Sequence, residues 1–227
     1  MKKPVYYVIL ALLIGVFLFA AYKVGSYYLE KYRSDKVISD ATRFVTLPGE
    51  DNSTDNPDSD PGGDPECPTV QFDELKQQNE DVIAWIYGAN THINYPVVQG
   101  SDNDYYLRRD EKGNKNYHGS IYADYACRMD SSEKVSRNLI FYGHTFTDEE
   151  YICGFEDLHK YRVFEFGQEN PYIYVSLADE KLTYQIFSVW VCDANADTDC
   201  IQADPDDAAF QQILDKVVAG CAIMVWT

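Results

Sequence analysis

Residues Pro4 to Tyr22 (PVYYVILALLIGVFLFAAY) run for 19 positions without a charge. As a helix, that run has the length needed to cross the hydrocarbon layer of a bilayer, so it is read as a membrane span. A cleaved signal peptide has a shorter apolar region ending at a small-residue site, and Val24-Gly25-Ser26 is a poor one. The segment is therefore a retained signal anchor, with residues 1–3 as its tip. Charge does not orient it, because Lys2 and Lys3 flank one side and Lys23, Lys31, Arg33 and Lys36 the other.

A membrane span at one end of 227 residues leaves room for one domain with a real core. Residues 23–47 are tyrosine-rich and charged, and read as a juxtamembrane stalk with Tyr22, Tyr27 and Tyr28 at interface depth. Residues 48–68 follow, with seven carboxylates and no base between Glu50 and Glu66. Such a stretch buries too little apolar surface to offset its ordering entropy, and reads as a disordered linker. The domain is expected over 69–227. The formal charge of −18 excludes nucleic acid as a partner, since binding phosphate along a duplex needs a surplus of Lys and Arg on one face.

Phe72, Leu75, Val82, Ile83 and Ile86 follow a 3-4 spacing, which predicts a helix, and Asp73 and Glu74 suit the positive end of its dipole. Five β-type runs follow between turn residues: His92 to Val98, His118 to Tyr122, Asn138 to Tyr142, Tyr172 to Leu177 and Leu182 to Val191. Short strands at this spacing predict a mainly antiparallel sheet or barrel. Asp204-Pro205 reads as a helix start, with Phe210, Ile213, Leu214, Val217 and Val218 on one face and Gly220 at the end. Cys221 to Thr227 has the length of one strand.

His144 is the first candidate for chemistry, because it follows the strand-like Leu139 to Tyr142 and a glycine that lets the chain turn. His92, His118 and His159 share no metal-ligand spacing with it. The six cysteines form no CxxC pair, so no metal or cofactor is expected; Cys192 and Cys200 are the pair nearest in sequence should disulfides form. Asp193, Asn195, Asp197, Asp199 and Asp204 match the count of a calcium loop, but Thr198 stands where Gly is needed and Asp204 where Glu is usual. That segment reads as an acidic, turn-rich loop. The 19 tyrosines and 11 phenylalanines read as sheet and core packing rather than a carbohydrate platform.

Five stretches, in order, resemble class B sortases: FDELKQQNEDVIAWIYG (72–88), INYPVVQGSDNDYYL (93–107), HGSIYADY (118–125), NLIFYGHTF (138–146) and LTYQIFSVW (182–190). The resemblance implies a mainly β fold: an antiparallel sortase-like barrel with N-terminal helices and a helix inserted before the last two strands, where residues 204–220 fall. It implies thiol acyl transfer, in which a cysteine attacks the carbonyl after a Thr of a sorting signal. A histidine then protonates the leaving amine, an arginine stabilises the oxyanion, and a cell-wall amine resolves the acyl-enzyme.

Carried over by position, the proton-transfer role falls on His144. The nucleophile is expected in a T-L-x-T-C word after the inserted helix, and no such word occurs. Cys221 follows Gly220 rather than Thr and has no Arg behind it, so it is a poor nucleophile candidate and reads as a small apolar residue. The final two strands are therefore expected to be missing or incomplete, and the chain to be inactive as it stands. The resemblance also implies a single-pass protein with its domain outside, acting on sorting-signal proteins and a peptidoglycan precursor amine. The alternative is a non-catalytic sortase-like domain that binds sorting peptides or scaffolds surface assembly. An unrelated tethered β-domain fits the composition but not the ordered motifs.

Overall fold

A computed structural model of the chain describes residues 3–49, 67–129, 135–145, 154–190 and 200–219. Helix α1 spans Lys3–Thr42 without a break and is long and apolar enough to cross a membrane. No residue of its apolar stretch is buried among the described residues, as a lipid-facing surface requires.

Its second half, expected as a stalk, is built into the domain. Ser34 and Ala41 are buried, Ile38 packs on one core cluster and Ala41 belongs to the other. Strand β1 (Val45–Thr46) pairs antiparallel with β2 (Thr69–Val70), and Gln71 N–H donates to Phe44 O at 2.9 Å. Packing of the domain therefore begins near Ser34, ahead of the acidic stretch and not at residue 69. The reason is a 3-4 stripe of Glu30, Ser34, Ile38 and Ala41, whose small and polar members hide its inward face. Residues 50–66 lie outside the described residues, while Cys67 and Pro68, at the end of the expected linker, are buried.

Helix α2 is Phe72–Gln78, with Phe72 and Leu75 buried and Asp73 and Glu74 in its first turn. The helix predicted to run on through Ile86 stops at Asn79, whose N–H returns to Leu75 O at 3.0 Å. Val82–Tyr87 is instead strand β3. A central strand covered on both faces reads as a continuous apolar run, so its spacing mimics a helical face. Trp85 is fully buried there, and its indole N–H donates to Asn94 Oδ1 at 2.7 Å.

The main sheet adds β4 (Asn94–Val98), β5 (Tyr122–Ala123), β6 (Phe141–Tyr142), β7 (Tyr172–Ser176) and β8 (Lys181–Gln185). Its order is β6-β5-β4-β3-β7-β8, antiparallel except between β4 and β5, and it curls as a half-barrel. Four of the five predicted strand regions overlap a strand shorter than the sequence run, and the fifth, His118 to Tyr122, meets β5 only at Tyr122. One face buries Ala84, Ile86, Ile93, Tyr95, Val97 and Val175; the other buries Trp85, Val98, Tyr106 and Tyr122 against Phe72, Leu75 and Ala41. A short helix α3 (Phe164–Glu169) precedes β7.

Helix α4 covers Asp207–Ala219. Its cap is Asp206 and not the expected Asp204: Asp206 Oδ1 accepts the Ala209 N–H at 2.8 Å, and its carbonyl takes Phe210 N–H at 2.8 Å. Asp204 is already occupied by the Ser136 hydroxyl (3.0 Å), the Arg137 N–H (3.2 Å) and the Arg128 guanidinium (3.2 Å).

Candidate active site

His144 lies two residues beyond β6, where the chain leaves the sheet through Gly143. Nε2 of His144 is 3.0 Å from the carbonyl oxygen of Leu107. A carbonyl only accepts, so Nε2 carries a proton in this geometry, and a second proton on the ring has to sit on Nδ1. Protonation at Nδ1 would make the ring an acid that can deliver a proton while Leu107 still orients it.

Two glycines hold the frame. Gly119, at φ +65°, lies so close that a Cβ there would meet Leu107 O at 2.6 Å. Gly154, at φ +63°, would put a Cβ 2.2 Å from His144 O, and the next residue, Phe155, donates its N–H to that same oxygen at 3.0 Å. Only glycine accepts both the left-handed backbone and the contact, so the ring and its carbonyl acceptor are fixed from two sides.

The strand beneath is pinned by Asp124, whose Oδ2 accepts the Tyr142 hydroxyl at 2.8 Å and the Asn103 amide at 2.9 Å. Burial raises the Asp124 carboxyl, but the Ala126 N–H, the Tyr142 hydroxyl and the Asn103 amide outweigh it and hold it below its ordinary value. Asp124 is thus an anion at neutral pH, and the Tyr142 hydroxyl is driven up by its own burial and by that anion.

A second histidine, His118, is buried between this site and helix α1. Its ring meets Tyr27 of the helix at a 6.2 Å centroid distance and Tyr117 at 5.7 Å. Burial lowers its pKa, Glu30 and Asp35 of the helix oppose that, and His144 and Lys31 add to the lowering. Sequence reasoning judged His118 only by metal-ligand spacing; the signal that links it to the site is the placement of Glu30 and Asp35 on the helix that packs against it.

Among the described residues, the remaining candidates lie apart from this cluster. His92 instead contacts Asp157 through Nδ1 at 2.8 Å and tethers a loop. Cys221, Cys192, Cys153 and Asp193 to Asp199 lie outside the described residues. Cys127 is a buried thiol placed between Asn138 O at 3.5 Å and Ile140 N–H at 3.4 Å, and burial raises its pKa, which suits structure and not nucleophilic attack. Among the described residues no three His, Cys, Asp or Glu side chains gather to hold a metal.

No family model matches the chain. A curated sortase B of Listeria monocytogenes is 29% identical over 205 residues, covering 90% of this chain and 76% of that protein. A solved Bacillus anthracis protein described as similar to sortase B superposes with a TM-score of 0.69 at 29% identity, over 86% of this chain and 84% of that one. The Staphylococcus aureus sortase B–substrate complex gives 0.62 at 28% identity, over 69% of each chain. By sequence and by fold the chain is similar to class B sortases.

Proposed function

We propose that this chain is a membrane-anchored, class B sortase-type protein in which His144 is the proton donor of a cysteine transpeptidase site. The supporting observation is the clamped His144: its orientation is set by Leu107 O and by two glycine contacts, an investment a merely space-filling histidine does not need. In this reading a sorting signal lies across the half-barrel near His144. The thiolate attacks the carbonyl after Thr, and His144 gives its Nδ1 proton to the departing amine. A cell-wall amine then displaces the thiol. The Staphylococcus aureus sortase B solved in complex with substrate supports a substrate-binding role for this chain. Residues 4–22 anchor the protein, with the domain on the outer face and the N-terminus inside.

No T-L-x-T-C word occurs in the 227 residues, so the chain by itself is proposed not to turn over a sorting peptide. Cleavage of a fluorogenic sorting peptide by the full chain, compared with His144→Ala, tests this. Turnover above the variant means a nucleophile is present, and overturns the inactivity. In the alternative reading the same groove binds sorting peptides without cleaving them, and then peptide binding persists in both proteins with no product.

A further inference from the structure

His144 is aimed by the carbonyl of Leu107, so whatever fixes that carbonyl fixes the ring. Leu107 is the middle residue of a single helical turn, Tyr106–Arg108. The 116–120 segment is bonded to that turn on both sides of Leu107. Tyr106 O accepts the Ser120 N–H at 3.2 Å, Arg108 O the Asn116 N–H at 3.1 Å and Arg109 O the Ser120 hydroxyl at 2.8 Å. The Arg108 guanidinium donates back to Tyr117 O at 2.5 Å. Gly119 lies against Leu107 itself, where a Cβ would stand 3.0 Å from the carbonyl carbon. A shift of residues 117–119 therefore carries the Leu107 carbonyl with it.

Helix α1 holds this segment from the other side. The Tyr27 ring meets the buried His118 ring at 6.2 Å, and one turn on, the Glu30 carboxylate accepts the Tyr117 N–H. Tyr27 and Glu30 share the helix face that continues to buried Ser34 and Ala41. Ile38 and Ala41 dock the helix onto the two core clusters, whereas the contacts of Tyr27 and Glu30 fall on the two residues directly before Gly119. Burial lowers the pKa of His118, and with His144 and Lys31 it outweighs Glu30 and Asp35, so at neutral pH the ring is an uncharged wedge in the seam.

We propose that Tyr27 and Glu30 of helix α1 are positioning residues for His144, acting through His118 and Tyr117 on the Leu107 carbonyl; this rests on the reading of His144 as the proton donor. Tyr27 stands five residues beyond Tyr22, about 7.5 Å of helix rise. The first turns past the apolar run are thus part of the frame of the site, and a helix displaced there releases the hydrogen bond at Nε2.

The test uses the full chain in detergent micelles with ¹⁵N-labelled histidine, the His144 signals being identified by their loss in His144→Ala. Long-range ¹H–¹⁵N spectra at about pH 9, above the ordinary histidine range, give the ratio of the Nε2-protonated to the Nδ1-protonated neutral ring. The Leu107 carbonyl favours the first form. The ratio should fall about fivefold in Tyr27→Ala and in His118→Ala, the factor that one hydrogen bond is worth. It should hold in Tyr27→Phe, which keeps the ring, and in Tyr32→Ala, on an exposed part of the same helix. The double variant Y27A/H118A should fall no further than H118A alone, since both act along one route. An unchanged ratio in Tyr27→Ala overturns the proposal. So does an equal fall in Asp206→Ala, which destabilises the chain from α4. A titration from pH 5 to pH 8 tests the underlying reading separately. A His144 ring that takes up no second proton there fails as a proton donor, while the positioning stands or falls on the ratio alone.

Discussion

Glu111 is buried, and its Oε2 has no hydrogen-bond partner among the described residues. Burial pushes its carboxyl up from 4.5 to about 7, its own backbone N–H opposes this, and Asp110 adds to the rise. A raised carboxyl pKa contributes stability that is full below about 4.5 and lost as pH climbs through about 7, an effect of about 3 kcal/mol at most. Thermal melts of the wild type should therefore fall between pH 5 and pH 8. Glu111→Gln should flatten that decline and melt several degrees higher at pH 8. Gly154→Ala acts on the site instead: the Cβ would collide with His144 O at 2.2 Å in a left-handed backbone. The expected cost is about 1–3 kcal/mol, together with displaced ring resonances of His144 by NMR. His144 could be picked out from its place after a strand and a glycine. Its acceptor Leu107, 37 positions away, could not, because only folding brings that carbonyl to the ring.

At the scale of elements, Asp157 ties the turn before β4 to the 156–162 segment. Burial raises its carboxyl, but the His92 N–H, Lys160 and the His92 ring hold it below its ordinary value. A depressed carboxyl pKa contributes stability above about 3.8 that is lost as pH falls through the folded value. Asp157→Asn should cost about 1.5–3 kcal/mol in urea unfolding at pH 7, with the gap to wild type closing toward pH 3. Removing the α4 cap by Asp206→Ala should cost about 1 kcal/mol, whereas Asp204→Ala should free Arg128 and the Ser136 hydroxyl without shortening the helix by circular dichroism, because Arg137 keeps its 2.6 Å contact with Asp207 of α4. The sequence showed that a helix starts near 204; which aspartate caps it depended on Arg128 and Ser136, which are remote in sequence. Strand β3 was hidden for a similar reason: with Ala84 and Ile86 in one core cluster and Val82 and Trp85 in the other, it has no polar face to reveal its period.

For the molecule as a whole, helix α1 is long and apolar enough to cross a membrane and is also a structural wall. Ala41 is 7% exposed within a core cluster containing Trp85 and Tyr106. Ala41→Asp should bury an unpaired charge and lower stability by about 2–4 kcal/mol, so the full chain in detergent should melt well below wild type, while Lys23→Asp, on the free part of the helix, should not change the melt.

The apolar span, the acidic stretch, the mainly antiparallel character of the domain and the candidacy of His144 follow from the sequence alone, because each depends on neighbours in the chain: an uncharged run, a density of carboxylates, short apolar runs between turn residues, a glycine before a histidine. The docking of the helix onto the sheet, the clamp on His144 and the buried His118 beside it were decided only by tertiary structure. Each joins residues tens of positions apart, and such pairings leave no local period in the sequence.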